Sequence, residues 1–362
     1  MTRKKAYDLL LEIAKNAEKK TGIPAYPRSV LNVMSAAALS NNVFWVARYS
    51  REAFNLLIEI LKELEKRNLV NLQAGVELTE EGKKLLQDVG YEIKFRICDH
   101  CKGRTILFDE ILDKDVVREF IKIQENRPPA IQEFDQGFVT PETTLARVAY
   151  MYYRGDLRNR DIIILGDDDL LSIAVGLTNL ANRIVVIDID KRLTEFIQKV
   201  SNEYGLHIEV YTEDLRRPLP EDLCRKFDVF QTDPLESLNG FKVFVGRGIA
   251  ALRGERCAGY FYLTLVDASI DKWREIQRLL LTEFNVVITD IIPDFSEYVN
   301  WNLYFEEMQA WKILPESLRQ IPRDGWYVST LFRIETLRGS RGLFETISSE
   351  ENIYYDKELA SA

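Results

Sequence analysis

The chain predicts an α/β protein: a doubly wound, mostly parallel seven-stranded sheet behind an N-terminal winged-helix-like α+β domain. Three observations carry that expectation. From residue 161 onward, short apolar runs alternate with stretches of helical spacing, the pattern of a sheet covered by helices. Residues 161–190 read as strand, tight loop, helix, strand, with Asp188 placed 22 residues after Gly166. An acid at about that distance (~20 residues) holds a ribose hydroxyl pair in such folds. Finally, aspartates stand at the ends of several expected strands: Asp167, Asp188, Asp214 and Asp233. Ligands of open α/β sheets bind outside those ends.

Composition narrows the function. The 362 residues, 46% of them hydrophobic, suffice for two domains and a sizeable core. No stretch approaches the length of a membrane span, and residues 1–25 lack a basic-then-apolar leader. A soluble, cytoplasmic protein is expected. Its 57 acidic against 48 basic side chains leave a net charge of −9. That balance argues against nucleic acid as the main partner and suits a cationic substrate. The charged fraction would suit a thermophile. Four cysteines are too few for a disulfide framework in a chain this long.

Taken in order, residues 6–19 and 50–67 carry apolar positions at helical spacing. Residues 69–72 and 76–78 form a two-stranded wing around Ala74-Gly75, and Thr79 caps a helix with an acidic first turn. Basic residues in this domain are interspersed with glutamates, which weakens a DNA-binding reading. Cys98-Asp99-His100-Cys101 is a single C-x-x-C knuckle. Zinc needs four ligands and no second knuckle follows, so free thiols, a disulfide and a zinc half-site at Cys98 and Cys101 all stay open. Residues 114–125 form a linking helix, broken at Arg127-Pro128-Pro129. The expected divisions are 1–95, 96–128, 129–340, and a mobile tail at 341–362.

Beyond the break, Phe134-Asp135-Gln136-Gly137-Phe138 is a loop placed to close over a ligand, and Thr140 caps a helix with Pro141 at its first position. Strands are expected at 162–165, 184–187, 207–211, 227–231, 258–263, 286–292 and 329–336. Helices are expected at 170–179, 193–204, 241–252 and 270–284. His207, at a strand start, reads as structural. Of Tyr298, Trp301, Tyr304, Trp311 and Trp326, one or two would face a site and hold an ammonium by cation–π attraction.

The loop after the first strand is the unusual part. In place of a glycine-rich turn it reads Gly166-Asp167-Asp168-Asp169. Three carboxylates at its mouth would repel a phosphate. The ligand should be an adenosyl group without phosphates, or a cation. One aspartate would suffice as a helix cap.

The order of acidic strand ends resembles the S-adenosylmethionine-dependent methyltransferases, a Rossmann-like fold shared with the spermidine synthases. More specifically, Thr140-Pro141-Glu142-Thr143, Leu165-Gly166-Asp167-Asp168-Asp169 and Thr232-Asp233-Pro234 resemble the branched-chain polyamine synthases, the N(4)-bis(aminopropyl)spermidine synthases. The resemblance covers about 130–340. It implies aminopropyl transfer from decarboxylated S-adenosylmethionine, as co-substrate with no bound cofactor, to the secondary amine of spermidine. Methylthioadenosine would be the second product.

On that resemblance Gly166, Asp188 and Asp214 hold the nucleoside, with Gln136 and Thr140 beside it. Asp169 anchors the donor ammonium, as in the linear spermidine synthases. Asp168 is the base, with Asp167 and Asp233 sharing the catalytic centre. Asp233, Glu236, Asp167 and Tyr298 bind the acceptor. A homodimer through the N-terminal domain is expected. Two other readings compete. An N-methyltransferase on RNA or protein explains the sheet but not the three aspartates. A ligand-sensing DNA-binding regulator explains the winged-helix pattern but not the acidic charge.

Overall fold

The computed structural model of the protein describes all residues except 1–2, 95, 132–133, 135, 300–308, 321–324, 349–351 and 360–362. Asp135, Trp301 and Tyr304 therefore lie outside the described residues. Four helices open the chain: α1 (Arg3–Thr21), α2 (Pro27–Ala37), α3 (Val43–Ser50) and α4 (Phe54–Glu65). Pro27 starts α2, and Asn42 caps α3 by accepting from Phe44 N at 3.0 Å. Arg51, with φ +56°, ends α3, so the helix expected from residue 50 begins only at Phe54. Within the stretch expected as the wing, β1 (Val70–Asn71) pairs antiparallel with β2 (Glu77–Leu78). Thr79 then caps α5 (Glu80–Val89), accepting from Gly82 N at 3.1 Å.

These helices do not close their own core. Their apolar faces share it with Val266, Ala310, Leu314, Leu318 and Trp326, which come from beyond residue 129. Phe54 N also donates to Val266 O at 2.9 Å. The stretch expected as a linker packs likewise on the sheet. Around α6 (Phe108–Ile111) and α7 (Lys114–Gln124), Ile106, Leu112, Phe120 and Ile123 enter the core beneath one sheet face.

The second half supplies α8 (Pro141–Tyr153), β3 (Asp161–Leu165), α9 (Leu171–Thr178), β4 (Arg183–Asp188), α10 (Lys191–Tyr204), β5 (Ile208–Thr212), β6 (Val229–Thr232), α11 (Leu238–Ala251), β7 (Ala258–Leu263), α12 (Ile270–Arg278), β8 (Val286–Glu297), α13 (Gln309–Ile313) and β9 (Val328–Thr336). The seven-stranded order is β5-β4-β3-β6-β7-β9-β8. The first five strands pair in parallel, and β9 runs antiparallel to β7 and β8. Ile162 and Ile164 face the α8–α9–α10 layer, while Ile163 and Leu165 face the α11–α12 layer. That alternation is why β3 reads as an unbroken apolar run. The chain winds outward from β3 to β5 and then returns to β6 beside β3. A crevice must open between their carboxyl ends.

Three local differences matter for the site. β8 continues to Glu297, past the expected end at 292, with register slips at Ile288/Asp290 and Ile292/Ser296. The extension brings Tyr298 to the crevice. His207 precedes its strand, at φ +55°. The described residues 352–359 are docked rather than free. Ile353 and Leu359 are buried, Glu358 accepts from Ser269 N at 2.7 Å, and Asn55 Nδ2 donates to Leu359 O at 3.2 Å.

Candidate active site

The crevice holds a cleft of about 1380 Å³ that opens to solvent. Among the described residues seven carboxylate side chains line it: Asp168, Asp188, Glu213, Asp214, Asp233, Glu236 and Asp267. Among the described lining residues there is no lysine, arginine or histidine. Aromatic rings of Phe244, Tyr298, Trp326, Tyr327 and Tyr354 make up much of the remaining wall. Such a surface repels anions and attracts an extended cation with apolar spacers.

Successive side chains in a tight turn diverge, and the three aspartates separate accordingly. Gly166, at φ +74°, turns the chain out of β3. Asp167 points back into the protein. Its carboxylate accepts from Ser172 Oγ at 2.5 Å and from Ser172 N at 3.3 Å. Burial pushes this carboxyl up to about 8, against those hydrogen bonds. Asp167 does not line the cleft, so the catalytic and acceptor contacts expected of it are replaced by a helix-start role. Asp169 also turns away, accepting from Val139 N at 2.7 Å and pairing with Arg147. It is buried and does not line the cleft, whereas the donor-ammonium contact expected of it needs a carboxylate on that wall. Asp168 alone faces the cleft. Its Oδ2 accepts from Gly137 N at 2.9 Å. Burial, then the neighbouring Asp169 charge, push its carboxyl well above the ordinary range, while Arg127 opposes.

Arg147 was not foreshadowed by the motifs. It sits on α8, fully buried, with its guanidinium 3.4 Å from the Tyr262 ring centroid. It pairs with Asp169 and, through Nη2 at 2.8 Å, with Asp233. Ser296 Oγ accepts from its Nη2 at 2.9 Å. A buried cation thus ties the loop after β3 to the end of β6. The available signal was an arginine among Leu145, Val148 and Ala149 on an apolar helix face. Arg127 is a second omission. Read in the sequence only as part of a break, it stacks 3.6 Å from the Phe138 ring centroid.

At the β6 end, Asp233 accepts from Tyr298 OH at 2.7 Å besides Arg147. Burial pushes its carboxyl up to about 6, with Arg147 opposing. Glu236 accepts from Thr264 N at 2.6 Å through Oε1, while its Oε2 is buried with no hydrogen-bond partner among the described residues. Burial and then the Asp267 charge push Glu236 well above the ordinary range. Asp267, which accepts from Tyr327 OH, lies beyond the strand end at Leu263, where the sequence offered no motif to mark it. A buried carboxylate oxygen without a partner is costly and calls for a cationic donor.

At the opposite end, Asp188 accepts from Asp167 N at 2.9 Å and Asp190 N at 2.8 Å while lining the cleft. Burial pushes it up to about 6 against those donors. Gln136 lines the cleft and donates to Asp190 Oδ2 at 3.0 Å. Asp214 receives a forked bond from Arg216, with Nη2 at 2.6 Å. Burial raises its carboxyl, but Arg216 outweighs this and leaves it lowered. Thr140 is the exception. It caps α8 with Thr143 N at 3.3 Å and does not line the cleft, so the donor contact expected there is a helix cap.

Cys98 is exposed and Cys101 half-buried, both as free thiols. Among the described residues no group of three or more His, Cys, Asp or Glu side chains could hold a metal ion. No described helix is long and apolar enough to cross a membrane.

The profile of the branched-chain polyamine synthase A C-terminal domain matches residues 115–361. The chain is 47% identical to the N(4)-bis(aminopropyl)spermidine synthase of Methanocaldococcus jannaschii over 351 residues, covering 96% of this chain and 99% of that one. It is 46% identical to the enzyme of that name from Thermococcus kodakarensis, over 97% of this chain and 99% of that one. The crystal structure of the branched-chain polyamine synthase of Thermus thermophilus, in complex with N4-aminopropylspermidine and 5′-methylthioadenosine, superimposes with a TM-score of 0.90 at 37% identity. The match covers 98% of this chain and 99% of that one.

Proposed function

The chain belongs to the branched-chain polyamine synthases, and from that premise we propose how its cleft performs the aminopropyl transfer. The protein is an aminopropyltransferase that forms branched polyamines. The observation that carries the reading is the wall of seven carboxylates with no cationic side chain among the described lining residues. The donor in this reading is decarboxylated S-adenosylmethionine, a sulfonium with a free ammonium and no carboxylate. The acceptor is spermidine, cationic along its length. Either would be held by this wall, and a donor that kept its carboxylate would be repelled.

The nucleoside lies along Gly166, Asp188 and Asp214, and the acceptor along Asp233, Glu236, Asp267, Tyr298 and Tyr327. The spermidine N4 attacks the donor carbon next to sulfur. The C–N bond forms as the C–S bond breaks, and sulfur leaves as the neutral thioether of methylthioadenosine. The attacking nitrogen must first be neutral. Asp168, whose carboxyl is pushed well above the ordinary range by burial and the neighbouring Asp169 charge, takes that proton. In a second round the nitrogen is tertiary and becomes a quaternary ammonium, so a proton is removed only before attack. The remainder of the acceleration comes from holding donor and acceptor in line.

The reading includes a cytoplasmic homodimer, whose subunit number sedimentation tests. Turnover tests the reaction itself. Spermidine plus the decarboxylated donor should give methylthioadenosine together with branched tetra- and pentamines by mass. Linear products alone would refute it.

Two further outcomes are expected. Glu236→Gln should raise the spermidine KM by about tenfold or more, because a charge-assisted bond contributes roughly 1.5–3 kcal/mol. The donor KM should stay put, and a change confined to the donor would contradict the assignment. Second, kcat/KM for spermidine should rise as pH increases through about 6, where the raised carboxyls of Asp188 and Asp233 become anionic. Those same raised values mean that their ionisation costs stability. Their contribution to the free enzyme is present below the unfolded carboxyl pKa and is lost as pH rises through about 6. Added spermidine should therefore raise the Tm more at pH 8 than at pH 5, and an equal shift at both would count against the scheme.

A further inference from the structure

Helix α11 carries Gly246-Arg247-Gly248 in its interior, where each glycine costs roughly 1 kcal/mol against alanine. Close packing explains both glycines. A methyl group on Gly246 would lie 2.7 Å from Leu343 Cβ, and one on Gly248 would strike the Phe230 ring. The strap that follows β9 thus presses directly on the helix, and Leu343 N donates to Gly246 O at 2.9 Å.

Arg247, between these glycines, is fully buried. It forms no carboxylate ion pair among the described residues. Its guanidinium donates instead to four main-chain carbonyls. Nε reaches Leu215 O at 2.9 Å and Nη1 reaches Leu343 O at 2.6 Å. Nη2 reaches Arg216 O at 3.1 Å and Glu345 O at 2.6 Å. Leu215 and Arg216 directly follow Asp214, at the nucleoside end of the cleft. Leu343 and Glu345 belong to the strap, and Ile353 and Tyr354, later in the sequence, line the same cleft. Ile347 N donates to Arg216 O at 2.9 Å, so the two segments also touch each other. A guanidinium holds its donors in a rigid fork, which a lysine cannot reproduce.

We propose that Arg247 is a positioning residue for the donor: it fixes the Asp214 loop against the strap, setting the nucleoside end of the cleft without touching the ligand. The proposal rests on the reading of that end as the adenosyl site.

Arg247→Lys keeps the charge and loses the fork. It should raise the methylthioadenosine Kd and the donor KM about tenfold, a loss of roughly 1.4 kcal/mol. The spermidine KM and kcat should stay within about twofold. A fall in kcat alone, or equal rises in both KM values, would overturn the assignment. Hydrogen exchange on the wild-type protein supplies a test that does not depend on the variant folding. Amides of 215–217 and 343–347 should gain protection together on adding methylthioadenosine, and a gain confined to one segment would overturn the clamp. If wild-type protein fails to bind methylthioadenosine, the adenosyl reading fails instead. The clamp is then judged without ligand. It predicts that the two segments open with one shared free energy, and separate opening would overturn it.

Discussion

Asp168→Asn should lower kcat by about 10²–10⁴-fold while the Tm and the methylthioadenosine Kd hardly move. The asparagine side-chain oxygen can still accept from Gly137 N, which holds Asp168 Oδ2 at 2.9 Å, so the loop keeps its shape. What is lost is the charge proposed to remove the acceptor's proton. Burial and the Asp169 charge already push the Asp168 carboxyl well up. Removing its ionisation therefore relieves the free enzyme rather than destabilising it. Single-turnover rates with spermidine, and again with N4-aminopropylspermidine, give the direct comparison. Both rounds should slow, because each needs a neutral nitrogen before attack. If the variant keeps wild-type turnover in either round, the base lies elsewhere in that round, with Glu236 the next carboxylate to examine.

Arg147→Met is expected to be the most damaging change to stability, on the order of 3–5 kcal/mol at neutral pH. The guanidinium is fully buried between Asp169 and Asp233, and its removal leaves two carboxylates facing each other without a cation. Such a pair resists ionisation, so the variant should lose stability as pH rises and recover part of it in acid. Adding Asp169→Asn to Arg147→Met should restore much of the loss, since the orphaned charge disappears. Unfolding of both variants at pH 5 and pH 8 measures this. An Arg147→Met protein as stable as the parent at pH 8 would show that the triad is not a buried ion network in solution.

These two residues illustrate how much of the site could be read in the sequence. Asp168 was legible because strand, turn and helix periodicity place residues 166–169 at a carboxyl-terminal strand end. Asp188, Asp214 and Asp233 were legible for the same reason, and all three line the cleft. The division of labour within Asp167-Asp168-Asp169 was not, because it depends on where each side chain points as the turn rotates. Asp167 finds Ser172 and Asp169 finds Arg147, and neither partner is implied by spacing alone.

Arg147, Asp267 and Arg247 stayed hidden for a related reason: each acts through contacts distant in sequence. Arg247 bonds to carbonyls at 215 and 345, and Asp267 meets Tyr327. The fold was easier. Seven apolar strand patterns suffice for the sheet, whereas α2, and α3 up to its last residue, lie outside the three helices expected in the N-terminal region. The shared core of that region with Trp326 and Val266 is long-range packing, which periodicity does not encode.

The central claim is that the acidic cleft selects a donor without a carboxylate. Side-by-side calorimetric titration of the protein with decarboxylated and intact S-adenosylmethionine, at fixed pH and salt, tests it most directly. The account predicts tight binding of the decarboxylated donor, with affinity for the intact one weaker by about tenfold or more, the difference shrinking as salt rises. Equal or tighter binding of the intact donor would contradict it.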